Sequence, residues 1–191
     1  QIILPVHGNE KLPLFLYGER NLGSIYLAPG KQTLDIDASK SNELNPVDGL
    51  TKENEILKKL ADLNENVFNL RARRGDIFNV GKDTVASSVY QKLTDYATTL
   101  ENEVAEVDDQ LRQRAIQDIR IQALMAYMNQ YFGNYRRGSE TLKKEWDDAY
   151  AQMLDFANVG QAESVFSPAF ADVVSNMAGI DIFMKHERRT N

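Results

Sequence analysis

The sequence predicts an α+β fold, an N-terminal antiparallel β-sheet followed by a C-terminal α-helical region. Three observations predict it. Short apolar segments punctuated by Gly and Pro occupy the chain up to Asp48; the pattern turns helical from Gly49 onward; and one apolar row from Val85 to Leu111 repeats at spacings of three and four. The boundaries that follow are a small antiparallel β region at 1–48 and an α-helical region at 49–191.

Within the first region Ile2-Ile3-Leu4, Leu12 to Tyr17, Ser24 to Leu27 and Gln32 to Asp37 read as strands, bounded by turn residues. Pro29-Gly30 suits the centre of a type II turn, Pro setting φ and Gly accepting a positive one. In the strand that follows, Thr33, Asp35 and Asp37 alternate with Leu34 and Ile36, which places the two carboxylates on one face and the apolar pair on the other. Two acids on one strand face are the raw material of a general acid and base or of an oxygen-ligand metal site. No nearby His, Asn or further acid completes either arrangement, so the pair reads as the wet side of a half-buried sheet whose Leu34 and Ile36 face packs on the helices.

The helical region opens with Thr51 as N-cap and Glu53 in the first turn, followed by Ile56, Leu57, Leu60, Leu63, Val67 and Leu70 on one face. Val85, Val89, Leu93, Tyr96, Leu100, Val104, Val107 and Leu111 then form a narrow stripe, which serves either as one face of a bundle or as a seam for another helix. Ile116, Ile119, Ala123, Leu124, Tyr127, Met128 and Tyr131 cover a broader face of a stretch ending near Gly133 or Gly138. A further helix opens at Ser139, without a capping box because Leu142 stands three residues on, and turns Leu142, Trp146, Ala149, Tyr150 and Met153 inward. Ser167-Pro168 is a cap followed by Pro at the first helical position, and this last helix is expected to run to about Met177 and to end at Gly179.

Charge and composition exclude several function classes. With a formal net charge of -6 over 191 residues, the chain lacks the clustered cations that nucleic-acid binding requires. Arg71, Arg73 and Arg74 beside Gly75 read as a helix C-terminus rather than a phosphate site. There is no cysteine, hence no disulfide, thiolate metal site or thiol redox chemistry in the chain itself. No HExxH, GxSxG, P-loop, dinucleotide glycine fingerprint or EF-hand loop occurs, and His7 and His186 lack local partners. Asp108-Asp109 and Asp147-Asp148 are adjacent pairs whose members diverge by about 100° on a helix, and they read as solvated faces. No catalytic residue, cofactor or metal is expected. No run approaches the ~20 apolar residues of a membrane span, and a chain beginning at Gln1 reads as a mature or trimmed form, leaving membrane attachment only through a lost lipid anchor.

The runs "PLFLYGERNLGSIYLAPGKQTLDIDAS" and "DGLTKENEILKKL" resemble the N-terminal region of Bacteroidetes thiol-disulfide oxidoreductases of the TlpA-like, thioredoxin-fold class. There a strand with a Pro-Gly turn leads to an alternating strand, then to a Gly followed five residues later by an Asn that opens a helix, here Pro29-Gly30, Leu34 to Asp37, Gly49 and Asn54. The later "SVFSPAFADVVSNM" is similar to the segment that precedes the thioredoxin domain. The resemblance implies a periplasmic or cell-envelope location and a redox domain following this region; with no Cys here, no catalytic residue of that family transfers. The function expected on that basis is a non-catalytic accessory region that dimerises, presents substrate proteins or positions the redox domain, with a protein partner or that C-terminal domain as its contact. The alternative is a free-standing envelope binding protein or lipoprotein for a peptide or glycan, its ligand lying between sheet and helices. The candidate ligand or partner contacts are Tyr17, Tyr26, Tyr127, Tyr131 and Trp146, with Tyr135 beside them.

Overall fold

Between Leu111 and Tyr135 apolar or small residues fall on nearly every side of the helical cycle, so a helix built from this stretch must be enclosed by its neighbours. The computed structural model, which describes residues 12–17, 21–27, 33–36, 44–46, 52–56, 86–135 and 139–190, shows how. The central helix is α2 (Asp109–Tyr135), flanked by α1 (Ala86–Glu103) and α3 (Glu140–Ala157); a 3₁₀ turn (Ala162–Phe166) then leads into α4 (Phe170–Thr190). The α2 helix touches α1, α3, the 3₁₀ turn and α4. At 27 residues it is about 40 Å long.

The continuous core is drawn mainly from the helices. Val89, Leu93, Ala97, Leu100, Val104, Val107 and Leu111 are all buried, so the apolar stripe is closed by contacts within the chain and offers no seam to another molecule. Its continuity conceals a break. The chain leaves helix after Glu103 and re-enters it at Asp109, where the Asp108 carboxylate accepts the Gln110 backbone N–H at 3.1 Å and the Asp108 carbonyl accepts the Arg112 N–H. Asp108 is therefore a capping residue rather than part of a solvated helical face. Across the break, Arg120 on α2 holds Glu101 on α1 with two hydrogen bonds of 2.7 and 3.0 Å, and its guanidinium lies 5.3 Å from the Phe156 ring of α3.

The expected α+β architecture is incorrect: the fold is helical. Leu12–Tyr17 and Asn21–Leu27 form one antiparallel ladder, Leu34–Ile36 and Leu44–Pro46 another, and the two remain separate two-stranded pairs. The continuous core of described side chains begins at Ile56 and is otherwise drawn from residues 86 to 180, and Ile25, the apolar ladder side chain that is described, is buried outside that cluster. Alternation gave these segments local strand character, but a two-stranded ladder is too small to make a layer against which helices pack. The Ile2 to Leu4 segment, the Pro29-Gly30 turn, Asp37, and the helix expected from Leu57 to Leu70 with its Arg71 cluster lie outside the described residues. Residues 52–56 are helical, with Asn54 and Ile56 buried, and Lys52 pairs with Glu106 in the turn between α1 and α2 at 2.7 Å.

The two ends of α3 follow ordinary capping chemistry. The Ser139 hydroxyl accepts the Leu142 N–H, and Asn158, at φ 44° and ψ 55°, closes the helix in the left-handed conformation with its N–H on the Leu154 carbonyl. The α4 helix departs from expectation: it passes through Gly179 and continues to Thr190. Gly179 stops nothing because its backbone stays helical, and the place a Cβ would take lies 4.0 Å from the Phe132 ring.

Candidate functional site

Three groups of residues stand out on this frame, and the first contains the aromatics expected to touch a ligand or partner. Tyr127 and Tyr131 lie one turn apart on α2 and meet Trp146 on α3, with ring centroids 5.4 and 6.5 Å away. Tyr150 joins them at 5.4 Å from Tyr131, and Tyr135 stacks on Tyr131 at 4.9 Å. The Tyr127 hydroxyl donates to the Trp146 carbonyl at 2.9 Å and the Tyr131 hydroxyl to the Asp147 carboxylate at 2.6 Å. Tyr127, Tyr131 and Trp146 are fully buried, so their faces are occupied by one another and they form the α2–α3 core. Burial, reinforced by Asp147, drives both phenols well above their ordinary range, and burial with Asp181 nearby pushes Tyr150 up to about 12. Asp147, read as part of a solvated face, is instead the acceptor that lets a buried tyrosine keep its hydroxyl. Tyr17 and Tyr26 lie on the first ladder, with side chains outside the described residues.

The second group was not foreseen. Where the chain leaves α3 and turns toward α4, a polar seam fastens it to the first half of α2. The Gln117 amide donates to the Ala157 carbonyl at 2.8 Å and to the Ser164 hydroxyl at 2.9 Å, all buried. One residue on, the Asp118 carboxylate accepts from the Ser167 hydroxyl at 2.6 Å and from the Gln122 amide at 2.9 Å. Burial raises the Asp118 carboxyl above the ordinary carboxylate range, with the bonds from Ser167 and Gln122 acting in the opposite sense. The Arg114 guanidinium lies 4.1 Å above the Phe166 ring, covering the 3₁₀ turn. The bonds from Gln117 to Ala157 and Ser164 and from Ser167 to Asp118 join residues 40 to 49 apart in sequence, so no local motif announces them.

The third group is what the bundle leaves uncovered. Val165, Phe166, Val174 and Ile182 are the large apolar side chains that remain exposed among the described residues, and all four belong to the 3₁₀ turn and α4. On α4, Val173 and Ile180 face the core, whereas Ala171, Val174, Ala178 and Ile182 fall on the opposite, exposed side.

Among the described residues no group of three His, Asp or Glu side chains is placed to hold a metal ion, and no helix is long and apolar enough to cross a membrane. No family model, curated protein or solved structure matches the chain.

Proposed function

We propose that this chain is a non-catalytic accessory region of a cell-envelope thiol-disulfide oxidoreductase, acting through protein contact on behalf of a redox domain that lies outside the sequence. The observation that carries the contact role is the distribution of apolar surface. Residues of the long stripe from Val89 to Leu111 are buried inside the bundle, whereas Val174 and Ile182 stand exposed on the outer face of α4. A charged or polar residue there would leave the core unchanged, so the apolar side chains suit a surface that meets another protein. The redox context and the envelope location come from the resemblance of the sequence to the TlpA-like class, and the absence of Cys puts any thiol chemistry on another domain.

The test is the intact mass of the polypeptide from its source, before and after reduction and thiol alkylation. The expected result is a mass exceeding 21.6 kDa by about one domain of 100–150 residues, with two thiols taking up the reagent. A mass equal to this chain with no uptake would overturn the reading.

A further inference from the structure

The aromatic set between α2 and α3 holds more chemistry than packing needs. The Tyr131 hydroxyl donates to the Asp147 carboxylate at 2.6 Å, whereas the Tyr127 hydroxyl one turn earlier donates to the Trp146 carbonyl. A backbone carbonyl is too weak a base to take a phenol's proton. A carboxylate takes it once the ring has lost an electron, because an oxidised phenol is a strong acid. Burial, reinforced by Asp147, holds the resting Tyr131 phenol well above its ordinary range, so its proton leaves only together with an electron. The carboxylate also favours that loss, since a negative charge beside the ring stabilises the positive charge that oxidation creates.

The neighbouring rings supply a route. Tyr150 is half-buried on α3, with its ring centroid 5.4 Å from that of Tyr131, and so links the fully buried Tyr131 to the surface. Trp146 stands edge-on to Tyr131 at 6.5 Å. Its indole N–H has no hydrogen-bond partner among the described residues, so an oxidised indole has no acceptor for its proton and draws an electron from Tyr131 instead.

We propose that Tyr131, with Asp147 as its proton acceptor, is a one-electron redox site that consumes radical oxidants. One electron passes from Tyr131 through Tyr150 to an oxygen- or nitrogen-centred radical, which leaves as its anion. The phenolic O–H bond breaks, an O–H bond forms on Asp147, and a neutral tyrosyl radical remains, shielded from solvent. This goes beyond the accessory role proposed above and does not depend on it; thiol alkylation tests that role, and detection of the radical tests this one.

The experiment is pulse radiolysis of the chain with the azide radical as oxidant, followed by optical absorbance and by electron paramagnetic resonance of rapidly frozen samples. The expected result is a tyrosyl radical that outlives that of free tyrosine at least several-fold. Tyr131→Phe, which keeps the ring, should abolish the long-lived signal; Asp147→Asn should lower its yield several-fold; Tyr127→Phe should leave it in place. In the unaltered chain, replacing solvent hydrogen by deuterium should slow formation of the radical, because the proton moves with the electron. A radical no longer-lived than that of free tyrosine, a long-lived signal that survives Tyr131→Phe, an unchanged yield in Asp147→Asn, or formation unaffected by deuterium would each overturn the proposal.

Discussion

The two halves of α2 do different work, although one continuous helix carries both. Its second half meets α3 through rings: Tyr127, Tyr131 and Trp146 exclude water, and the tyrosine hydroxyls reach the Trp146 carbonyl and Asp147 at the edges. Its first half meets the connection between α3 and α4 through the Gln117 amide, the Asp118 carboxylate and two serines. Rings contribute area and tolerate small displacements. Hydrogen bonds contribute less net energy but fail once their partners move, so the polar half fixes where the chain turns toward α4. Stability and placement are thereby divided along one helix, and the outer face of α4 inherits its position from the polar half.

The strongest way to break this comparison is at the aromatic half. Trp146 is fully buried and its indole N–H has no hydrogen-bond partner among the described residues, so its contribution is packing. Trp146→Ala should lower stability by about 3–5 kcal/mol in chemical denaturation, as the removal of a large buried side chain does. Trp146→Phe should recover most of that loss, because it restores a ring to the same space and removes no hydrogen bond. A Phe variant as unstable as the Ala variant would mean that the indole nitrogen matters in a way packing does not explain.

At the polar half the expected effects are smaller and of a different kind. Gln117→Leu keeps the volume but leaves the Ala157 carbonyl and the Ser164 hydroxyl without their donor, a loss of about 1–3 kcal/mol. The consequence should be local as well as global, with faster amide exchange at residues 158–169 than in the α2–α3 contact. Uniform exchange across both regions would show that the seam does not place the connection.

Asp118 sharpens the same contrast through pH. Its folded-state carboxyl titrates above the ordinary value, so the folded protein binds the proton more tightly than the unfolded chain does. The ionised form therefore costs the folded state stability. That cost is absent below the ordinary Asp range near pH 4, grows as pH rises through the raised folded value, and is constant above it. Asp118→Asn, which can keep an acceptor for Ser167, should lack this slope. Melting curves of the two proteins should converge in acid and diverge toward neutral pH with the Asn variant the more stable; divergence in the opposite sense would assign Asp118 a folded-state value below the ordinary one.

How much of this was legible in the sequence depended on the range of the interaction. Apolar residues three and four apart located the helices around Leu93, Leu124 and Trp146, because that spacing is a property of one helix. The same spacing hid the break at residues 104–108, since Val104, Val107 and Leu111 stay in phase across the turn and only the cap at Asp108 marks it. Tyr127, Tyr131 and Trp146 stand among the aromatics expected, with Tyr17 and Tyr26, to touch a ligand or partner, and whether their faces are open or filled depends on which helix lies opposite. The seam of Gln117, Asp118, Ser164 and Ser167 carried no signal, because each bond joins residues far apart in the chain. The sheet failed for the converse reason: alternation around Asp35 describes one strand, and a layer needs partners that a single strand does not specify.

Gly179 is where a local rule and the fold disagree most directly, and the smallest expected effect tests it. A glycine after an apolar helical run commonly ends the helix in a left-handed conformation, and there a Cβ costs about 1 kcal/mol or more. In a helix interior the cost reverses, because alanine loses less backbone freedom on folding than glycine does, by about 0.5–1 kcal/mol. The backbone at Gly179 is helical, and an added Cβ would meet only Phe132, at an ordinary contact distance of 4.0 Å. Gly179→Ala should therefore raise the melting temperature by a few degrees, the shift expected for that energy in a chain of this size. A fall instead would end α4 at Gly179 and take Ile182 off the outer face of that helix.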